Sequence, residues 1–332
     1  MPELYPLLLK PFFSPRPWGA RDLSPIYRGF PGKDGEPIGE SWLTGDQCVV
    51  ANGPLAGKTL DQLAKQYGRE LVGATAPQAD RYPLLMKFLF PTDKLSVQVH
   101  PDDDAAHKLG EPCGKTECWY VLAAKPGAKI GLGLKPGTTR EQLRRAIEDK
   151  TAEHLLNWIE VHKGEMYYVD AGTVHAIAGG SILVETQQNS DTTFRLYDYG
   201  RPRELHIESG LSATKETTHA GKVLDGKPPV LVASPYFVVE KFKLSKGQTF
   251  DLAAENAAQA VVALGGGGVV EAPGCSPVEL RCGEAVVVPA SVKGARVIPQ
   301  WDLEFMRAAV PAEKLTMPKT QQVKDQGLAV RG

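Results

Sequence analysis

In "KLSVQVHPDDD", Lys94 to Asp104, apolar Leu95, Val97 and Val99 alternate with Ser96, Gln98 and His100. A period of two is that of a strand with unlike faces. Turned to water, the polar row would be an ordinary solvated face; turned inward, it would be a row of ligands. Other short apolar segments follow the same style, among them "CWYVLAA", "EMYYVDA", "SILVETQQ", "TTFRLYDY", "YFVVEKFKL", "AQAVVALG" and "EAVVVPA". Frequent Gly and Pro between them predict a mainly β protein of sandwich or barrel class. Two stretches change period. "TLDQLAKQYGREL" and "TTREQLRRAIEDKTAEHLLNWI" each open on a capping-box pair, Thr59 with Gln62 and Thr139 with Gln142. They predict amphipathic helices over about 59–75 and 139–160, packed on the β body.

"GEMYYVDAGTVH" (Gly164 to His175) aligns without gaps on "GEAVVVPASVKG" (Gly283 to Gly294), which predicts two copies of one β unit. Gly294 stands where the first copy has His175, so only the first copy carries that polar group. A proline-rich stretch, "LDGKPPVLVASP", places a boundary near residue 225. The expected division is 1–225, 226–312 and a polar, aperiodic tail, 313–332, mobile or draped over the surface.

A formal net charge of −1 gives no global attraction to nucleic acid or an anionic membrane. The longest apolar runs fall short of the roughly 20 residues that cross a bilayer, and "LYPLLLKPFF" is too short and proline-broken for a signal peptide. The cytoplasm is the expected compartment, with no membrane and no nucleic acid as partner. Five cysteines, Cys48, Cys113, Cys118, Cys275 and Cys282, are odd in number and sparse, so reduced packing thiols are expected rather than a disulfide framework. Their C-x4-C and C-x6-C spacings do not match zinc knuckles. The glycine runs "GLGLKPG" and "GGGG" lack the strand-to-helix setting of a phosphate loop and read as turns.

Gln98 and His100 share a strand face, Glu117 sits in the apolar segment "TECWYVL", and His175 follows "EMYYVD". Singly, each has an ordinary structural explanation. Together, two imidazoles, a carboxylate and an amide oxygen make a nitrogen and oxygen donor set suited to Zn²⁺ or another borderline divalent ion. A carboxylate inside an apolar strand also needs a partner.

"PLLMKFLFPTDKLSVQVHPDD", "GKTECWYVL", "GEMYYVDAGTVHAI" and "TQQNSDTTFRLYDYGR" closely resemble the short bacterial form of class I (type I) mannose-6-phosphate isomerase, and "PWG", "IGESW" and "NGPLAGKTLDQL" extend the likeness. The resemblance is dense from about Pro11 to Glu208. It implies a mainly β chain of two cupin-type jelly-roll barrels, with a small helical insertion on the first, a catalytic barrel within 1–225 and a metal-free one in 226–312. It implies one Zn²⁺ per chain on Gln98, His100, Glu117 and His175, with Arg195 and Lys115 in the active site and Ser96 and Arg201 as substrate or phosphate contacts. The implied reaction interconverts mannose 6-phosphate and fructose 6-phosphate through a cis-enediol(ate). Lys115, a metal-bound hydroxide and a carboxylate such as Asp191 are alternative bases for the C–H proton. The implied partner is a small sugar phosphate, and the implied state a monomer or homodimer. An Fe²⁺ oxygenase on the same barrel and a non-catalytic sugar-phosphate-binding protein are the competing readings; the amide ligand counts against the first and Arg195 against the second.

Overall fold

The computed structural model describes residues 3–29, 35–253 and 256–321. Strands dominate, as the alternating pattern predicts, and the chain forms two compact units, each discontinuous in sequence. One comprises Met1–Phe90, Val184–Asn189 and Asp225–Pro318; the other comprises Pro91–Leu183, Ser190–Leu224 and Lys319–Gly332. These units cut the chain differently from the linear boundaries at 225 and 312. The reason is strand pairing: Leu7–Lys10 adds antiparallel to Ala285–Val288, with Leu7 opposite Val287.

In the first unit, one sheet runs in the order Val230–Ala233, Val238–Leu244, Arg296–Ala309, Gln259–Glu271, Ala285–Val288, Leu7–Lys10 and Val49–Val50. Its enclosed core includes Val261, Val270, Val286, Val288, Leu303 and Phe305. The capping-box helix forms at Leu60–Tyr67 and buries Leu60, Leu63, Ala64 and Tyr67 as its periodicity requires. Gly68 breaks it at φ 53°, and a second short helix, Arg69–Val72, follows. This helical pair hydrogen-bonds to Ala258, Ala290 and Ser291, so it belongs to the unit that holds the later repeat.

The second unit holds a sheet in the order Phe194–Tyr197, Val97–Val99, His175–Ile177, Lys129–Leu134 and Leu156–Glu160. One face packs on the helices Arg140–Glu148 and Ile207–Ala213: Val97, Val99, Leu143, Ile147, Leu156, Phe194, Leu196 and Leu211 form one buried cluster. Each such side chain contributes roughly 1.5–3 kcal/mol by leaving water. Val97 and Val99, the apolar face of "KLSVQVHPDDD", lie under this helical layer, and Leu95 is also buried.

The helix predicted over 139–160 is corrected. Its capping box is present and Leu143, Ala146 and Ile147 are buried, but the helix ends at Glu148. Lys150 takes φ 61°, a left-handed conformation that stops the helix without a glycine. A 3-10 turn, Ala152–Leu155, leads into the strand Leu156–Glu160, where Ile159 pairs with Ile130. Part of the expected tail is also ordered, since Thr320–Gln321 pairs with Gly221–Val223. The remaining tail residues, 322–332, lie outside the described ones.

The internal repeat is reproduced bond by bond. Gly164 N–H donates to Val121 O at 2.8 Å and Gly283 N–H to Ala263 O at 2.9 Å. Glu165 accepts from His162 N–H at 2.7 Å, and Glu284 from Arg281 N–H at 2.9 Å. The registers that follow equate Glu117, opposite Val169, with Gln259, opposite Val288. Gln259 there accepts from Arg307 Nη1 at 2.9 Å, and Arg307 Nε donates to Glu240 at 2.5 Å. Where the first copy has a carboxylate beside two histidines, the second has a buried amide and guanidinium bonded to each other, the guanidinium also to a half-buried carboxylate.

Candidate metal centre

His175 and Arg195 both lie opposite Gln98 in the antiparallel registers of the neighbouring strands. Directly opposed residues share a sheet face, so the three side chains form a row across Phe194–Tyr197, Val97–Val99 and His175–Ile177. His100 lies two positions beyond Gln98 and Ser96 two before it. Glu117 opens the strand Glu117–Ala124. His100, Lys115, Glu117 and His175 are almost fully buried, with 2%, 4%, 1% and 1% of their surface exposed, and Gln98 is half-buried.

The ligand atoms of His100, Glu117 and His175 all lie within 4.8 Å of one another. Both histidine Nε2 atoms are 3.5 Å from a Glu117 carboxylate oxygen. His100 Nδ1 sits 3.0 Å from Thr192 O and His175 Nδ1 2.9 Å from Thr173 O. A carbonyl only accepts, so each Nδ1 carries a proton and each neutral ring turns its Nε2 lone pair inward. Lys115 Nζ donates to His100 Nε2 at 2.9 Å and makes a short ion pair with Glu117. Gln98 Nε2 donates to His175 Nε2 at 3.2 Å, while Ser96 Oγ donates to Gln98 Oε1 at 3.0 Å. The amide nitrogen, rather than the expected oxygen, therefore faces His175; half a turn about the last side-chain bond exchanges the two.

Two neutral imidazoles and a carboxylate converging in a buried site are a donor set that fits a divalent cation. Among the described residues no second group of three His, Cys, Asp or Glu side chains is so arranged, and the five cysteines are free thiols. Burial pushes the Cys48 thiol, beside Asp46, up to about 12, which makes it a packing group and not a ligand.

Local structure explains the placement. Asp102 caps the helix Asp103–Lys108 by accepting from Ala105 N–H, which turns the chain away immediately after His100. Gly114 passes so close to that cap that a Cβ would lie 2.6 Å from the Asp102 carbonyl carbon. This approach, fixed by Lys115 N–H donating to Pro101 O, carries the Lys115 ammonium inward where a solvated turn lysine would point out. This short helix had no apolar period to announce it.

The remaining predicted residues fall as follows. Ser96 lies in the polar row and is 2% exposed. Arg195 Nη1 donates to Glu204 O at 2.7 Å. Arg201 is held by Asp198, Asp93 and Lys94 O at 3.0, 2.7 and 2.8 Å. Asp191 is exposed. Asp170 and Thr173, in the turn before His175, were not singled out by sequence; Thr173 Oγ1 donates to Asp170 at 3.0 Å.

The fold and donor set define a protein with a candidate metal site on a mainly β, cupin-type scaffold. Comparisons with known proteins narrow that class. Residues 15–125 match the family model "Phosphomannose isomerase type I, catalytic domain". A probable mannose-6-phosphate isomerase of Bacillus subtilis is 39% identical over 265 residues, covering 74% of this chain and 82% of its own. The mannose-6-phosphate isomerase of Streptococcus mutans is 37% identical over 306 residues, covering 87% and 93%. The crystal structure of a Bacillus subtilis mannose 6-phosphate isomerase superposes with a TM-score of 0.79 at 30% identity, over 92% of this chain and 99% of that one. This chain belongs to the type I phosphomannose isomerase family.

Proposed function

We propose that this chain interconverts mannose 6-phosphate and fructose 6-phosphate, with one Zn²⁺ held by His100, Glu117, His175 and the Gln98 amide oxygen. It is an aldose–ketose isomerase. The observation that carries the metal reading is the convergence of the two Nε2 lone pairs on the Glu117 carboxylate within 4.8 Å.

The bound ion would supply Lewis-acid polarisation of the sugar oxygens. This chain's own residues do the rest. His100, Glu117, His175 and the Gln98 amide oxygen would hold that ion, and Lys115, whose ammonium here sits on His100 Nε2 and Glu117, would donate to the substrate oxygens as an ammonium and take a proton back as the amine. Arg195 holds a permanent positive charge over the polar face, where negative charge develops on oxygen in an enediolate. Ser96 orients the Gln98 amide and offers its hydroxyl to the sugar. The phosphate is read by Arg201 once it exchanges Asp93 for the incoming anion, because Asp93 is its more exposed partner. Among this chain's own groups the base for the C–H proton is Lys115 or Asp191. The unit that holds 226–312 together with the strand Leu7–Lys10 acts as a metal-free companion, with Gln259, bonded to Arg307, at the position equivalent to Glu117. We place the enzyme in the cytoplasm, as a monomer or homodimer.

The decisive experiment follows fructose 6-phosphate formed from mannose 6-phosphate before chelation, after chelation and after Zn²⁺ is restored. Turnover lost to the chelator and recovered with zinc supports the site and the reaction together. Turnover that survives complete metal removal sinks the metal site, and a zinc-loaded protein that turns over nothing sinks the reaction.

A further inference from the structure

The turn that delivers His175 carries side chains that its counterpart lacks. In the first copy Thr173 N–H donates to Asp170 O at 3.1 Å; in the second Val292 N–H donates to Pro289 O at 3.0 Å. The backbone closure is thus the same, although only the first has a glycine third, Gly172 at φ 91°. Side chains differ completely: Asp170 aligns with Pro289, Thr173 with Val292 and His175 with Gly294. A proline and a valine suffice to build the turn where no histidine follows it.

In the first copy those two side chains hydrogen-bond to each other in the turn whose Thr173 backbone carbonyl contacts the imidazole. Asp170 Oδ2 accepts from His219 N–H at 3.0 Å, and Asp170 Oδ1 accepts from Thr173 Oγ1 at 3.0 Å. Thr173 O then accepts from His175 Nδ1 at 2.9 Å. Asp170 is 8% and Thr173 1% exposed, so neither bond is loosened by water. The same turn is tied to the backbone beyond the other histidine, because Gly172 N–H donates to His100 O at 2.9 Å.

We propose that Asp170 and Thr173 are positioning residues for His175: they fix the carbonyl that sets its tautomer and the direction of its Nε2 lone pair. The inference rests on the metal reading above. It assigns the two side chains to the ligand and not to the turn, since the turn in the second copy forms without them. Partners of metal-bound histidines typically affect affinity by about 10–100-fold.

The test uses the full chain and the variants Thr173→Val, Thr173→Ser and Asp170→Ala. Zinc affinity is read by competition with a chromogenic chelator, kcat and KM with mannose 6-phosphate, and melting on the chelated protein. The expected result is zinc binding weakened about 10–100-fold in Thr173→Val and Asp170→Ala, kcat lowered with KM little moved, and chelated melting that matches the parent. Thr173→Ser, which keeps the hydroxyl, restores the parent affinity. Parent-like zinc affinity in Thr173→Val and Asp170→Ala, or their failure to fold, would show that the side chains serve the turn and overturn the proposal. If the parent itself binds no stoichiometric zinc, the metal reading falls and takes this inference with it.

Discussion

Gln98 stands directly opposite His175, and its amide nitrogen donates to His175 Nε2 at 3.2 Å. The same residue is opposite Arg195 on its other side. One neutral side chain thus sits between a candidate metal ligand and a fixed cation.

Its neutrality is testable. Gln98→Glu adds a negative charge beside Glu117, which favours metal retention and opposes an enediolate. Zinc content should stay stoichiometric while kcat falls by roughly 10²–10³-fold, the scale of losing one electrostatic contribution. An unchanged kcat at full zinc content would remove the charge argument.

Arg195 contributes charge without contributing a ligand. Arg195→Ala should lower kcat by about 10²–10³-fold with zinc content unaltered, and Arg195→Lys should recover only part, because an ammonium does not reproduce the guanidinium fork. Elemental analysis alongside steady-state kinetics checks this, and lost zinc in either variant would contradict it.

The corrected strand Leu156–Glu160 makes its own forecast. A Cβ on Gly131 would lie 2.8 Å from Leu156 Cδ1, so the two positions must couple. Leu156→Ala should cost roughly 2–5 kcal/mol as a cavity, and Gly131→Ala should destabilise by overpacking. In the double variant the second change should cost less than it does alone, as measured by urea denaturation. Strict additivity would deny the contact.

Acid stability should depend on Glu40. Burial pushes its carboxyl up, but the Lys87 ammonium, the Arg16 guanidinium and the hydrogen bond from Trp42 Nε1 together outweigh burial and hold it below the usual carboxylate range. A depressed folded value means that the stabilisation is present above the unfolded value and is lost as pH falls through the folded one. Melting temperature should therefore drop more steeply below about pH 4.5 in the parent than in Glu40→Gln. Parallel curves would dismiss Glu40 as a source of the acid sensitivity.

Lys87 is buried with Glu185 at 3.1 Å and Glu40 at 3.7 Å. Lys87→Met leaves two carboxylates in a dry site without that cation and should cost roughly 3–5 kcal/mol. A variant as stable as the parent by chemical denaturation would mean that these carboxyls protonate at little cost.

The polar row of the site was legible because alternation is a local property: Ser96, Gln98 and His100 share a face whatever the strand pairs with. Its neighbours were less so. Leu155, Leu156 and Ile159 satisfy a helical spacing, and nothing in "EDKT" resembles a helix stop, because the left-handed position is filled by Lys150 instead of glycine. The helix Asp103–Lys108 has a single fully buried residue, Ala106, and so no stripe to read. Arg201 illustrates a different limit, since its hold on Asp93 joins residues 108 apart in sequence. The division of the chain was similarly hidden, because only tertiary pairing reveals that Leu7 and Val287 are neighbours.

That last pairing bears on how the molecule is made. Every residue assigned to the metal centre lies within Pro91–Leu183 or Ser190–Leu224, whereas the strand Leu7–Lys10 gains its Ala285–Val288 partner only after both of those stretches have been synthesised. At about 5–20 residues per second the ribosome separates the two by roughly 15–55 s. Leu7–Lys10 must wait with the edge that Ala285–Val288 will cover unpaired while the whole catalytic segment appears, which exposes that strand to mispairing and chaperone capture during synthesis.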